Sequence, residues 1–182
     1  MDYRYPFLNA SNLTSLIRAI LFLGVLTLIF IPENSYSPWL PSIIYGAGVI
    51  LDKLDGYLAR KLNQDTKFGS KLDMWIDSFG FIVAPVLAVG SGKLPSYYLI
   101  LSSAKFIYEG LKYQRKIRGK KIFALPENDL GKYIATFQMI FLTAVLTPII
   151  NAETVYNIAP VALAPSILVF IRDYLHVARY RN

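Results

Sequence analysis

Apolar residues run through this chain in six long stretches separated by short polar or basic segments. Stretches of that length are too long for strands, and they are too uniformly apolar for the surface helices of a soluble protein. We place them at residues 13–31, 39–62, 68–89, 97–111, 133–150 and 156–176. At about 20 residues per bilayer crossing, six spans consume most of the chain and leave only short loops. The pattern therefore predicts an all-α integral membrane protein of six transmembrane helices, with residues 1–182 forming one domain. The fourth stretch is short for a crossing, and continuing it through Tyr113 and Arg115 would lengthen it. Residues 1–11 alternate aromatic and polar positions (Tyr3, Tyr5, Phe7) and read as a short interfacial helix. No small-residue cleavage site follows the first apolar run, so a cleavable signal is not expected. Pro32, Pro38, Pro41, Gly90, Gly92 and Pro95 mark loops, whereas Gly56 and Gly69 fall inside or at the edge of helical stretches and need another explanation.

Composition sharpens the picture. Of 182 residues, 54 % are hydrophobic and 17 % charged, and the mean hydropathy of +0.41 lies outside the range of ordinary soluble domains. With zero cysteines, a disulfide framework, a zinc-thiolate site, an iron–sulfur cluster and a cysteine nucleophile are all excluded. The 19 Lys+Arg against 12 Asp+Glu give a net charge of +7, which in a soluble chain would suggest nucleic acid. Here the cations gather between apolar segments and read as topology signals, so no nucleic-acid partner is expected. Arg60, Lys61, Lys67 and Lys71 follow the second span; Lys112, Arg115, Lys116, Arg118, Lys120, Lys121 and Lys132 follow the fourth; Arg179 and Arg181 lie in the tail. The loops after the first and fifth spans carry none, and the loop after the third has only Lys93. Both termini and the basic loops are therefore expected on the cytoplasmic face. The triplets Asn9-Ala10-Ser11 and Asn12-Leu13-Thr14 would then lie on the wrong side for glycosylation and are read as chance.

The segment 51–81 breaks the apolar pattern with acids. Asp52, Asp55, Gly56, Ala59 and Arg60 lie near the end of the second span, and Gly69, Asp73 and Asp77 open the third. At about 100° per residue, positions 52, 55, 56 and 59 share one helix face, and positions 69, 73 and 77 form a second stripe. Two antiparallel helices joined by a short basic loop would bring the stripes together. A single charge at the centre of a membrane helix costs about 3 kcal/mol on insertion scales, so four converging carboxylates require compensation. Oxygen ligands without His or Cys suit a hard divalent ion such as Mg²⁺, Mn²⁺ or Ca²⁺. The bare surfaces at Gly56, Ala59 and Gly69 leave room for a flat ligand whose phosphates reach that ion, the shape of a nucleotide diphosphate. Small residues also mediate helix packing, and a lone intramembrane aspartate can serve an ion pathway. The whole constellation has little structural use unless it binds something.

Read in order, Asp52-x-x-Asp55-Gly56-x-x-Ala59-Arg60, eight further residues, then Gly69-x-x-x-Asp73-x-x-x-Asp77, the segment resembles without a departure the signature of the CDP-alcohol phosphotransferase family of phospholipid-synthesising membrane enzymes. The resemblance implies a six-helix, usually homodimeric membrane fold and transfer of a substituted phosphate from a CDP-linked lipid to an alcohol, releasing CMP. By the same resemblance Asp52, Asp55 and Asp73 would hold Mg²⁺ or Mn²⁺, and Asp77 would be a metal ligand, the general base, or both. Asp55, Gly56, Ala59, Arg60, Gly69 and Asp73 would line the CDP site, the small residues accommodating cytidine and ribose. The chemistry agrees: a metal on the diphosphate neutralises the leaving CMP while a carboxylate takes the proton of the attacking hydroxyl. Spacing alone does not say which aspartate is that base.

The acceptor alcohol is read from the cations and from one further stretch. Lys105, Lys132, Arg172 and Arg115 are candidates to hold an acceptor phosphate, and Arg18 is a further one; Lys105, Arg172 and Arg18 sit within apolar spans, where a charge needs a partner or a cavity. The basic loop between the fourth and fifth spans also suits contact with anionic lipid. Gly131-Lys132-Tyr133-Ile134-Ala135-Thr136-Phe137-Gln138-Met139 is similar to the Gly-Lys-x-Lys-Thr-Thr-x-Gln-Met stretch of phosphatidylglycerophosphate synthases, departing at Ile134 and Ala135. An Arg-Glu pair usual in the fourth span of those enzymes is replaced by Lys105-Phe106, with Glu109 one turn later. Asn12-Leu13-Thr14-x-x-x-Arg18 is similar to the family's first span. The expected acceptor is glycerol 3-phosphate; inositol 1-phosphate, inositol, serine and phosphatidylglycerol are the alternatives. A cation or proton-coupled transporter is the non-enzyme alternative, but it would distribute acids across the bilayer, and here they crowd at one end of two adjacent helices. His176, the single histidine, is read as an interfacial residue.

Overall fold

The computed structural model describes residues 10–62, 67–119 and 130–179, and within them the chain is helical, with no strand. The described residues form six α-helices: α1 Ala10–Leu28, α2 Leu40–Leu62, α3 Lys67–Gly90, α4 Ile100–Ile117, α5 Leu130–Val145 and α6 Ala152–Arg179. Short 3₁₀ turns at Glu33–Ser35 and Ser96–Leu99 lead into α2 and α4. Residues 1–9 of the expected interfacial segment lie outside the described residues, and residues 10 and 11 already belong to α1. The lengthened fourth helix is as anticipated: α4 runs past Tyr113 and Arg115 to Ile117 and stops at Gly119, whose φ of 65° suits glycine. Gly92, at φ 69°, likewise turns the chain after α3.

Several helix ends differ from the hydropathy reading by a few residues, and two of them have a visible cause. α5 covers 130–145 instead of 133–150, because Pro148 cannot extend a helix and the intervening residues form turns. α6 begins four residues earlier than expected, where the Asn151 side chain accepts a hydrogen bond from the Thr154 amide at 2.8 Å and caps the helix. At this end of the bundle Lys93 donates to the Thr147 carbonyl at 3.1 Å, tying the loop after α3 to the α5–α6 turn.

α1 packs chiefly against α2 and α3, while α5 bridges α2 and α6. The pivot is Phe22, fully buried on α1. A Cβ built on Gly48 of α2 would lie 2.5 Å from the Phe22 ring, and one on Gly80 of α3 would lie 2.7 Å from it. The ring therefore occupies the space that two missing side chains leave, and Tyr45 covers it with ring centroids 5.4 Å apart. One helical turn along from this lock, α1 carries Arg18, α2 carries Asp52 and α3 carries Asp77. Packing of the three apolar residues thus fixes which polar residues meet.

Much of the periphery is apolar: Ile20, Ile43, Ile50, Ile140, Val161 and Leu168 are all exposed. The segments Leu72–Gly90 and Ala152–Ala178 are long and apolar enough to cross a bilayer; Leu13–Leu28 and Leu130–Val145 are shorter apolar helices. α2 and α4 carry charges at one end, which lowers their hydropathy.

Candidate active site

Asp52 near the end of α2 and Asp73 and Asp77 on the first turns of α3 converge as the helical spacing implied. Each offers one oxygen, and the three oxygens lie within 4.8 Å of one another. The side chains of Asp55, Gly56, Ala59, Arg60 and Lys105 lie outside the described residues, although the backbone at these positions is helical. Gly69 stands on α3 one turn before Asp73.

The cluster holds a cation of its own. Arg18, fully buried, donates through Nη1 to Asp73 Oδ1 and through Nη2 to Asp77 Oδ1, and Nη2 lies 3.0 Å from Asp52 Oδ1. Lys53 adds a second positive charge: its Nζ is 2.9 Å from Asp52 Oδ2 and donates to Thr136 Oγ1 of α5 at 2.9 Å. Thr136 in turn donates to the Lys132 carbonyl at 2.9 Å. Arg18, a candidate for the acceptor phosphate, finds the partner it needs in the carboxylates themselves and does not line the cavity beside them. Lys53 gave no signal in the sequence, because a lysine between two aspartates at a helix end reads as a solvated residue.

Beside the carboxylates opens a cavity of about 910 Å³ walled by α3, α4, α5 and α6. Asp73 and Asp77 reach it from α3, while Ile134, Ala135 and most other lining residues are apolar. Its polar features include Gln138, buried on α5. The Gln138 amide donates to the Ala162 carbonyl at 2.6 Å and to Ser166 Oγ at 2.8 Å, and its oxygen accepts from the Tyr98 hydroxyl at 2.5 Å. This network joins the 3₁₀ turn before α4 to α5 and α6. Its signal in the sequence was a glutamine inside an apolar span, within the stretch 131–139 already singled out.

The expected acceptor cations are dispersed. Arg172 pairs with its neighbour Asp173, Nη2 to Oδ1 at 2.7 Å and Nε to Oδ1 at 2.9 Å, and Asp173 lines the cavity. Arg115 donates to the Ala178 carbonyl at 3.3 Å and joins the ends of α4 and α6. Lys132 is exposed at the start of α5, and His176 is half-buried near the end of α6.

Three carboxylates on two helices, held by a forked guanidinium and opening onto an apolar cavity, suit a hard cation and a lipid-linked phosphate. Metal–oxygen bonds of about 2.1 Å place ligands of one ion up to about 4.2 Å apart, which is the scale of this cluster. Comparison with known proteins points the same way. The CDP-diacylglycerol–glycerol-3-phosphate 3-phosphatidyltransferase of Escherichia coli strain K12 is 29 % identical over 143 residues, covering 76 % of each chain. A protein of the same name from Cereibacter sphaeroides is 28 % identical over 130 residues, which are 71 % of this chain but 59 % of that relative's length. The model of CDP-alcohol phosphatidyltransferases matches residues 8–171, a stretch that includes α1 to α5, every aspartate of the cluster and its arginine. The chain therefore belongs to the CDP-alcohol phosphatidyltransferase family.

Proposed function

We propose that the protein transfers a phosphatidyl group from a CDP-linked lipid, CDP-diacylglycerol or an ether analogue, to glycerol 3-phosphate, releasing CMP. The observation that carries this reading is the junction of the Asp52–Asp73–Asp77 cluster with the apolar cavity, since the reaction joins a charged diphosphate to a lipid. Asp52, Asp55, Asp73 and Asp77 would hold Mg²⁺ or Mn²⁺, and the chemistry such an ion would supply is positive charge on the diphosphate. The acceptor hydroxyl forms a bond to the lipid-bearing phosphorus as the bridging P–O bond breaks and its electron pair leaves with CMP. Asp77, which lines the cavity, takes the hydroxyl proton. Gly56, Ala59 and Gly69 leave room for cytidine and ribose, and Arg60, next along α2, adds a positive charge for the nucleotide. Lys105, Lys132, Arg172 and Arg115 supply positive charge for the acceptor phosphate.

In this reading residues 1–182 act as one membrane domain of six spans, and the basic loops hold both termini and the site at the cytoplasmic face. The exposed apolar side chains meet lipid or a second copy in a homodimer. Family membership takes precedence over the transporter alternative. A second reading of the acceptor has a specific basis: Ile134 and Ala135, which stand where the phosphatidylglycerophosphate synthase stretch has Lys and Thr, line the cavity, so its wall there lacks one cation and one hydroxyl. An alcohol without a phosphate would suit that wall better.

One assay separates these readings. The purified protein is given CDP-diacylglycerol, Mn²⁺ and, in turn, glycerol 3-phosphate, inositol 1-phosphate, inositol, serine and phosphatidylglycerol, with CMP release measured. Fastest release with glycerol 3-phosphate is the expected result. A faster unphosphorylated acceptor would replace glycerol 3-phosphate, and no CMP with any acceptor would contradict the transferase reading of this chain.

A further inference from the structure

We propose that Arg18 is a positioning residue that orients the metal-binding carboxylates from behind. The inference rests on the divalent-cation reading of the cluster.

Burial rises steadily across the site. The side chains of Asp73 and Asp77 are 41 % and 34 % exposed, that of Asp52 is 13 % exposed, and that of Arg18 is 0 % exposed. Asp73 and Asp77 also line the cavity, and Arg18 does not. The guanidinium therefore stands on the closed, α1 side, and an ion arriving from the cavity meets the carboxylates first. Arg18 engages the same atom, Oδ1, of all three aspartates. Each carboxylate so gripped has its rotation about the last bond fixed, and its second oxygen has a defined direction. An arginine fork is suited to this role because two nitrogens in one rigid plane hold the three oxygens in fixed directions, whereas an ammonium is a point charge with rotatable donors on a flexible stem.

The fork is itself held. Phe22, one turn along α1, is wedged against Gly48 and Gly80, so α1 cannot slide or rotate without moving an aromatic ring into backbone. Arg18, Asp52 and Asp77 are thereby placed by one packing event. Metal ligands are commonly oriented by partners outside the coordination shell, and loss of such a partner weakens metal affinity about 10- to 100-fold. A mere counter-charge would act differently. By repelling the incoming ion it would make affinity rise when removed, and a lysine would replace it.

The test uses the full-length chain in detergent without substrates, titrated with Mn²⁺ while free Mn²⁺ is followed by electron paramagnetic resonance, with thermal melting of the ion-free protein alongside. Arg18→Gln is expected to weaken Mn²⁺ binding about 10- to 100-fold. Arg18→Lys keeps the charge without the fork and is expected to weaken it about 10-fold, so it decides the matter even where Arg18→Gln fails to fold. Arg18→Lys with wild-type affinity would overturn the positioning role, as would either variant binding more tightly. Lower melting with unchanged affinity would overturn it too, because a structural counter-ion alone gives that result. Asp73→Asn serves as the control: if it binds Mn²⁺ as the wild type does, the metal reading fails and the positioning role with it. If Asp73→Asn loses binding and Arg18→Lys does not, only the positioning role fails.

Discussion

The two halves of the bundle are built on opposite principles. Around α1, α2 and α3 the interior is closed: Phe22 fills the gap between two glycines, and every charge of the Arg18 cluster meets an opposite one. Between α3 and α6 the interior is open, a cavity of about 910 Å³ with mostly apolar walls and a Gln138 network at one side. The closed half can fix carboxylates to the tolerance that metal and phosphate chemistry demands. The open half leaves space for substrates and specifies them by few polar groups. The difference explains why the donor chemistry is written densely in the chain and the choice of acceptor sparsely.

The comparison can be broken most severely at Phe22. Phe22→Ala removes the ring from a fully buried site, and a loss of about 3–5 kcal/mol is expected, measured as a lower melting temperature in detergent. A variant that melts like the wild type would show that the glycine pocket does not hold α1. Asp73→Asn tests the same half without disturbing its packing. CMP release should fall about 10²- to 10³-fold while melting changes little, because the proposed metal site would lose one ligand.

In the open half the expected effects are smaller. Arg172→Met should raise KM for a phosphorylated acceptor and lower kcat/KM about 10- to 100-fold, with CDP-lipid binding nearly unchanged. Equal losses with phosphorylated and unphosphorylated acceptors would assign Arg172 to its pair with Asp173 alone. Gln138→Leu leaves the Tyr98 hydroxyl, Ser166 and the Ala162 carbonyl without their partner, and should reduce stability by about 1–3 kcal/mol. If that variant changed acceptor preference with no loss of stability, Gln138 would belong to the substrate site and not to the wall.

Much of the closed half was legible in the sequence because it depends on spacing within single helices. Asp73 and Asp77 lie one turn apart, and only a short stretch of sequence separates their helix from the one that carries Asp52. Arg18 was legible as a charge in need of a partner and as a candidate for the acceptor phosphate, and not as the counter-charge of the aspartates. Which partner it finds depends on how α1 lies across α2 and α3, and that is set by Phe22, Gly48 and Gly80, whose contacts are distant in sequence. Lys53 and Thr136 meet across 83 positions by the same kind of packing and carried no pattern of their own. Hydropathy placed the end of α5 too late, because it registers apolar Leu146, Ile149 and Ile150 and not the restriction that Pro148 imposes. The beginning of α6 was missed for a related reason: an asparagine cap is a polar signal, and a hydropathy window averages it away.

The central claim, that the aspartate cluster serves metal-dependent transfer from a CDP-linked lipid, is tested most directly by CMP release from CDP-diacylglycerol and glycerol 3-phosphate before and after chelation of divalent ions. Release should stop on chelation, return when Mn²⁺ or Mg²⁺ is restored, and fail to return in Asp77→Asn. Release that continues in the presence of the chelator, or that Asp77→Asn supports at the wild-type rate, would contradict it.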